Sequence, residues 1–238
     1  PAEGTKAFEQ ALEQDPRNVP AARALATLYL NEERWSDVIG VYKREADAKV
    51  DKGRLVWLKN HIGALQHQLT ESGAAQESYR DALALDKGSL VALRGLVTVS
   101  RELGDAVCLA QSLGSLAELS PSPVDRLEAR RELAEVYQAD LEDLPRAVEN
   151  WRQVVAGAPD DLPALQGLAK GLRGLGKPKE LVKALEHELE LTHDDARKIE
   201  LSLEAATLRE TLADAEKSAD GKRALLELAL AHSLRASG

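Results

Sequence analysis

Apolar residues along this chain recur at intervals of three and four, the spacing that gathers them on one face of an α-helix, and nowhere do they alternate as a strand would. Leu93, Leu96 and Val97 lie on one such face, and Leu109, Leu113, Leu116 and Ala117 on the next. Polar breaks rich in Pro, Gly, Asp and Ser interrupt the runs, among them Asp15-Pro16-Arg17-Asn18, Asp86-Lys87-Gly88-Ser89, Gly104-Asp105 and Gly176-Lys177-Pro178. The pattern predicts an all-α chain of about 12 to 13 helices, each roughly 12 to 18 residues long.

Residues 90–119 nearly repeat as residues 162–191, an offset of 72 at which twelve positions are identical, including Gly95/Gly167, Arg101/Arg173 and Leu113/Leu185. A fainter copy lies 71 residues upstream, where Phe8, Ala11, Leu12 and Arg23 answer Tyr79, Ala82, Leu83 and Arg94. Self-similarity at a fixed period implies stacked, equivalent units. The unit is a helix pair, and the 72-residue block holds two of them.

The residues within each unit resemble the tetratricopeptide repeat, a helix-turn-helix of about 34 residues. Residues 19–52 supply Ala22, Leu25, Ala26, Tyr29, Trp35, Val38 and Tyr42 at its large, small and aromatic positions. Residues 124–161 supply Leu133, Ala134, Tyr137, Ala147, Trp151, Val154 and Pro159. The expected organisation is one array over residues 1–238. It comprises a stub at 4–18, units at 19–52, 53–89, 90–123, 124–161 and 162–195, and a divergent last unit with a capping helix at 196–238. Units 53–89 and 124–161 are longer than the rest, which an extended turn between their two helices would explain. The unpaired stub leads to the expectation that the chain is an excerpt of a longer protein.

Composition sharpens this picture. One Phe, no Met and an aromatic share of 3% leave burial to Leu, Ala and Val, which suits helix-on-helix packing. A formal charge of −9 argues against nucleic acid and anionic membrane surfaces as partners, and no apolar run approaches the ~20 residues that span a bilayer. Cys108 stands alone, so no internal disulfide forms. That favours a reducing cytoplasm, with the periplasm left open because the chain reads as an excerpt.

The resemblance implies a right-handed superhelical solenoid whose first helices line a concave groove that binds another protein or peptide. It implies neither catalysis nor a cofactor. Mapped onto this sequence, the groove carries Arg23 and Asn31, then Trp57, Asn60 and His67, then Arg94 and Arg101, then Arg131, and finally Lys170 and Arg173. Six of these are cations, so an acidic peptide is one expected ligand, and a small GTPase or other signalling protein is another class of partner. The alternative is an ordinary solvated helix face laced with Glu/Arg pairs. Trp57 is the expected hot spot, although a half-turn change of phase would bury it. Self-association through the unpaired stub, or service as a positioning module in a larger enzyme, stand as alternatives.

Three local patterns mimic chemistry. Gly171 to Lys177 fits a phosphate-binding loop, but Pro178 stands where that loop needs Ser or Thr, and a helix precedes it. His187-Glu188 begins like a zinc-binding helix, yet Leu191 takes the place of the second His. His61 and His67 lie six apart, on different sides of a helix of ~3.6 residues per turn. Gly63, Gly95 and Gly167, inside helices, point to close helix contact.

Overall fold

The first helix of every pair begins on a side chain that accepts a hydrogen bond from its own first turn. Asn18 receives the Ala21 N–H at 3.0 Å, Asp51 that of Arg54 at 2.9 Å and Ser89 that of Ala92 at 3.4 Å. Ser122, Asp161 and Asp194 cap Asp125, Ala164 and Ala196 in the same way, at 3.2, 3.1 and 3.0 Å. Each cap stabilises its helix by about 1 kcal/mol and fixes where the pair starts.

The computed structural model describes residues 2–48 and 50–236, with side chains for 3–48, 50–217, 220, 221 and 223. Among the described residues there are twelve helices and no strand. They are α1 (Ala2–Gln14), α2 (Val19–Asn31), α3 (Trp35–Asp47), α4 (Lys52–Gln68), α5 (Ser72–Leu85) and α6 (Leu90–Leu103). Then come α7 (Ala106–Leu119), α8 (Pro123–Ala139), α9 (Leu144–Gly157), α10 (Leu162–Gly174), α11 (Pro178–Leu191) and α12 (Asp195–Ala236). The chain is an all-α array of helix pairs, in which even-numbered helices open a pair and odd-numbered helices close it.

Each turn inside a pair passes once through left-handed backbone, at Glu33 (φ 56°), Thr70 (φ 61°), Gly104 (φ 66°), Glu142 (φ 51°) and Gly176 (φ 61°). Two expectations change here. The extra length of units 53–89 and 124–161 sits in their first helices, α4 and α8, which have 17 residues each, while the following turns span only 69–71 and 140–143. The apolar faces continue for an extra turn, and the helix continues with them. Residues 195–236 form one helix of 42 residues where a divergent pair and a cap were expected. The side chains of Leu225, Leu226, Leu228, Leu230 and Leu234, on which the cap rested, lie outside the described residues.

The chain divides into two compact units, Pro1–Val136 and Tyr137–Gly238. In the first, Leu12 of α1, Leu25 and Tyr29 of α2, Val38 and Tyr42 of α3, and Leu58 and Ile62 of α4 form one buried cluster. Ala75 and Tyr79 of α5, Leu96 and Val99 of α6 and Cys108 of α7 form another. Tyr79 is clasped between two glycines, since a Cβ on Gly63 or Gly95 would stand 2.9 or 2.3 Å from its ring. In the second unit, Leu165, Leu172, Leu185, Leu201 and Trp151 are buried, and the Trp151 ring lies 2.5 Å from where a Cβ on Gly167 would be. The helical glycines therefore mark seats for aromatic rings of the closing helices.

Candidate functional site

A hollow of about 500 Å³ opens on the first unit between α2 and α4, with α3 as its floor. Arg23, Ala26, Thr27 and Leu30 come from α2, Tyr42 from α3, and Arg54, Trp57, His61, Ala64 and Leu65 from α4. Residues three, four and seven apart share a helix face, which is why this set converges. Trp57 is held on three sides. Its ring meets Tyr42 edge-on at 5.5 Å, stacks on His61 at 3.6 Å and lies 4.0 Å beneath the Arg54 guanidinium. It nonetheless remains 37% exposed and lines the hollow.

The cations of the hollow are organised by one carboxylate. Glu45, on α3, has a side chain 0% exposed and accepts from Arg23 Nε at 2.9 Å, Arg54 Nε at 2.9 Å and Arg54 Nη2 at 2.8 Å. Burial alone would push its carboxyl up, but the hydrogen bonds and charges of Arg54 and then Arg23 outweigh that and hold it below the usual carboxylate range. The Arg54 guanidinium is held more firmly protonated in return, chiefly by its bonds to Glu45. His61 Nδ1 donates to the Trp57 carbonyl at 2.8 Å. Tyr42 is raised above its ordinary value by burial.

No protein-family model and no curated protein matches this sequence. Solved structures do. The chain is similar to YrrB, a TPR protein with an unusual peptide-binding site, with a TM-score of 0.50 and 15% identity over 83% of this chain and 98% of that one. It is also similar to a chain in the structure of Naa15/Naa10 bound to HypK-THB, with a TM-score of 0.59 and 19% identity, covering 93% of this chain and 33% of that one. The fold is that of the tetratricopeptide repeat.

The tetratricopeptide register relates the hollow to two other places in the chain. Seventy-one residues on, Arg94 again opens the position, but Leu116 replaces Glu45, Asp125 replaces Arg54 and Glu128 replaces Trp57. There Arg94 Nη2 bonds Asp125 at 3.0 Å, in an acidic hollow completed by Val97, Leu113 and Glu132. In the second unit, Gln166, Glu188 and Arg197 stand in the places of Arg23, Glu45 and Arg54. Arg197 reaches the buried Glu188 at 2.9 Å, and Gln166 Nε2 donates to it at 3.2 Å.

The positions expected to line a groove separate accordingly. Arg23 and Trp57 line the first hollow and Arg94 the second. Asn60 does not face outward: it is 6% exposed and donates to Ser89 Oγ at 3.1 Å, because it lies on the side of α4 that packs toward α5 and α6. Asn31 is exposed at the end of α2 without lining the hollow. His67 Nε2 lies 2.7 Å from Glu102. Arg101 makes two bonds to Glu132 Oε1, at 2.7 and 3.1 Å, and in the second unit Arg173 makes two to Glu204, at 2.8 and 2.9 Å. Arg131 is half-buried on α8 and Lys170 is exposed on α10. Arg94, Arg101 and Arg173 thus meet carboxylates of the next opening helix, 31 residues away in sequence, a partnership that local i,i+4 spacing does not reveal.

Glu45, Arg54, Tyr42 and His61 were not among the expected site residues. A signal for the first two was present: Glu45, Asp51 and Arg54 recur with the same spacing as Glu188, Asp194 and Arg197. Among the described residues no group of three or more His, Cys, Asp or Glu is placed to hold a metal, and no helix is long and apolar enough to cross a membrane.

Proposed function

We propose that this chain is a non-catalytic protein–protein interaction scaffold that holds a partner protein or acidic peptide against its opening helices, with the Trp57 hollow as the anchor. The observation that carries this reading is the hollow itself: an exposed indole fixed by three neighbours, in a space of about 500 Å³, is the kind of preorganised aromatic pocket in which interface energy concentrates. YrrB, of similar fold, is a TPR protein with a peptide-binding site, and Naa15/Naa10 was solved bound to HypK-THB. The lining supports binding over chemistry, since the Thr27 hydroxyl is given to the Arg23 carbonyl at 3.0 Å and His61 Nδ1 to the Trp57 carbonyl. A small GTPase or another signalling protein with an acidic surface fits the same description. The buried lone thiol, Cys108, supports a reducing cytoplasmic setting. Quantitative capture of partners on the immobilised chain tests the reading. The partner retained by the natural chain is expected to be lost from Trp57→Ala, and equal retention by both overturns it.

A second reading, self-association, is favoured by α12. Ile199 and Leu203 there are 69% and 68% exposed, with Ser202 and Ala206 beside them. In the repeat register they correspond to Val56, Asn60, Lys59 and Gly63 of α4, the side of α4 that faces α5. A second copy supplying a closing helix would cover that stripe. Sedimentation at rising concentration is expected to show association that Leu203→Asp abolishes, and a monomer at every concentration excludes this reading.

A further inference from the structure

Within the reading just given, we infer that the Trp57 hollow takes an aromatic or large aliphatic side chain flanked by a carboxylate, the apolar group lying on Trp57, Leu30 and Ala64 and the carboxylate on the terminal nitrogens of Arg23. Charge sets this choice. Two guanidinium groups border the hollow against a single carboxylate, Glu45, whose side chain is wholly buried and whose two oxygens are already taken by three N–H donors. What the ligand meets is therefore cationic. Arg54 spends Nε and Nη2 on Glu45 and its flat face on Trp57. Arg23 spends only Nε, keeps a side chain 54% exposed, and has both terminal nitrogens without a partner among the described residues. Arg23 itself lies about one helical turn from Thr27 and two from Leu30, and all three line the hollow.

The repeat supplies its own control. In the equivalent hollow between α6 and α8, Asp125, Glu128 and Glu132 face the single Arg94, and no aromatic ring lines the space. Scaffold geometry is shared and chemistry is not, so an apolar and acidic ligand is expected to choose the first hollow and avoid the second. A charge-assisted bond from a guanidinium to a carboxylate is about twice as strong as a neutral one, which corresponds to roughly a tenfold preference for an acid over its amide.

The test is an NMR titration of the full chain, following the Trp57 indole N–H, which is assigned by its loss in Trp57→Phe. The probes are four blocked hexapeptides in one Gly frame, carrying Phe-Asp, Phe-Asn, Phe-Lys or Ala-Asp at the centre. Phe-Asp is expected to move the Trp57 signal at millimolar concentration, roughly tenfold more tightly than Phe-Asn and more tightly still than Phe-Lys or Ala-Asp. Arg23→Gln is expected to bring Phe-Asp down to the level of Phe-Asn, with Glu45 still satisfied by Arg54. Should that variant lose its fold by circular dichroism, the order of the four peptides on the natural chain decides alone. Equal binding of Phe-Lys, equal binding of Ala-Asp, or perturbation centred on Glu128 overturns the assignment. So does an unmoved Trp57 signal with every peptide; if a partner is still captured in a Trp57-dependent way, that result removes the ligand chemistry and leaves the scaffold reading standing.

Discussion

The Tyr79 ring occupies the volume that a side chain on Gly95 would need, its Cζ standing 2.3 Å from where a Cβ would be. The ring has nowhere to retreat, because Gly63 closes on its other side at 2.9 Å. Gly95→Ala is therefore expected to destabilise the fold by about 1–3 kcal/mol through overpacking, despite the roughly 1 kcal/mol that Ala gains over Gly in a helix. Gly167→Ala, against Trp151, is expected to behave alike. Gly114→Ala is the control, with its nearest neighbour, Leu133, at 3.8 Å, and should be neutral or stabilising. Urea unfolding of the three variants checks the order.

The left-handed turn residues give a prediction of opposite sign. Thr70 is β-branched and sits at φ 61°, a conformation that costs such a residue roughly 1 kcal/mol or more, whereas Gly104 and Gly176 hold the equivalent place without strain. Thr70→Gly is expected to raise the unfolding free energy by about 0.5–1 kcal/mol, the Thr70 hydroxyl having only its neighbour's carbonyl, that of Leu69, to lose. A lower melting temperature in Thr70→Gly counts against this account of the turns.

The helix pairs were legible because an apolar period and a repeat offset are properties of the sequence itself. Phe8, Tyr79 and Trp151 announced the closing helices, and the polar breaks ending at Asn18 and Ser89 their successors, whereas Asp51 gave no such signal. The orientation of α4 was not legible: its 17 residues carry apolar groups on several sides, so the register placing Trp57 outward does not exclude one that places Asn60 outward too. The partners of the groove cations were not legible either. Arg94 and Arg101 meet Asp125 and Glu132 of the next pair, and such partners are set by stacking.

Glu45 supplies a pH-dependent prediction. Its folded pKa lies below its unfolded one, so its contribution is fully present above the unfolded value and is lost as pH falls through the folded value. Removing the charge with Glu45→Gln leaves two guanidinium groups around a buried neutral amide, at a cost on the order of 3 kcal/mol near neutral pH. The gap between natural chain and variant is expected to close as pH drops below the usual carboxylate range, because both are then uncharged there. The repeat also suggests a rescue. The second hollow uses Leu116 and Asp125 in the places of Glu45 and Arg54, so Glu45→Leu with Arg54→Asp should recover most of the loss by re-forming an Arg–Asp pair with Arg23. Denaturant melts across pH on the three proteins check both statements.

Trp57 and Asn60 lie three positions apart on α4 and separate binding from folding. Trp57→Ala removes the exposed ring and leaves the Glu45 node intact, so the helical spectrum should persist while partner capture weakens by about tenfold or more, the loss expected of an interface hot spot. Asn60→Ala deletes a buried hydrogen bond to Ser89 and should lower stability by about 1 kcal/mol without changing capture, because no part of Asn60 reaches the hollow. The two measurements have to dissociate. If Asn60→Ala abolishes capture in a chain that remains folded, the face that meets the partner is the one turned toward α5 and α6, and the hollow between α2 and α4 is a packing feature without a ligand.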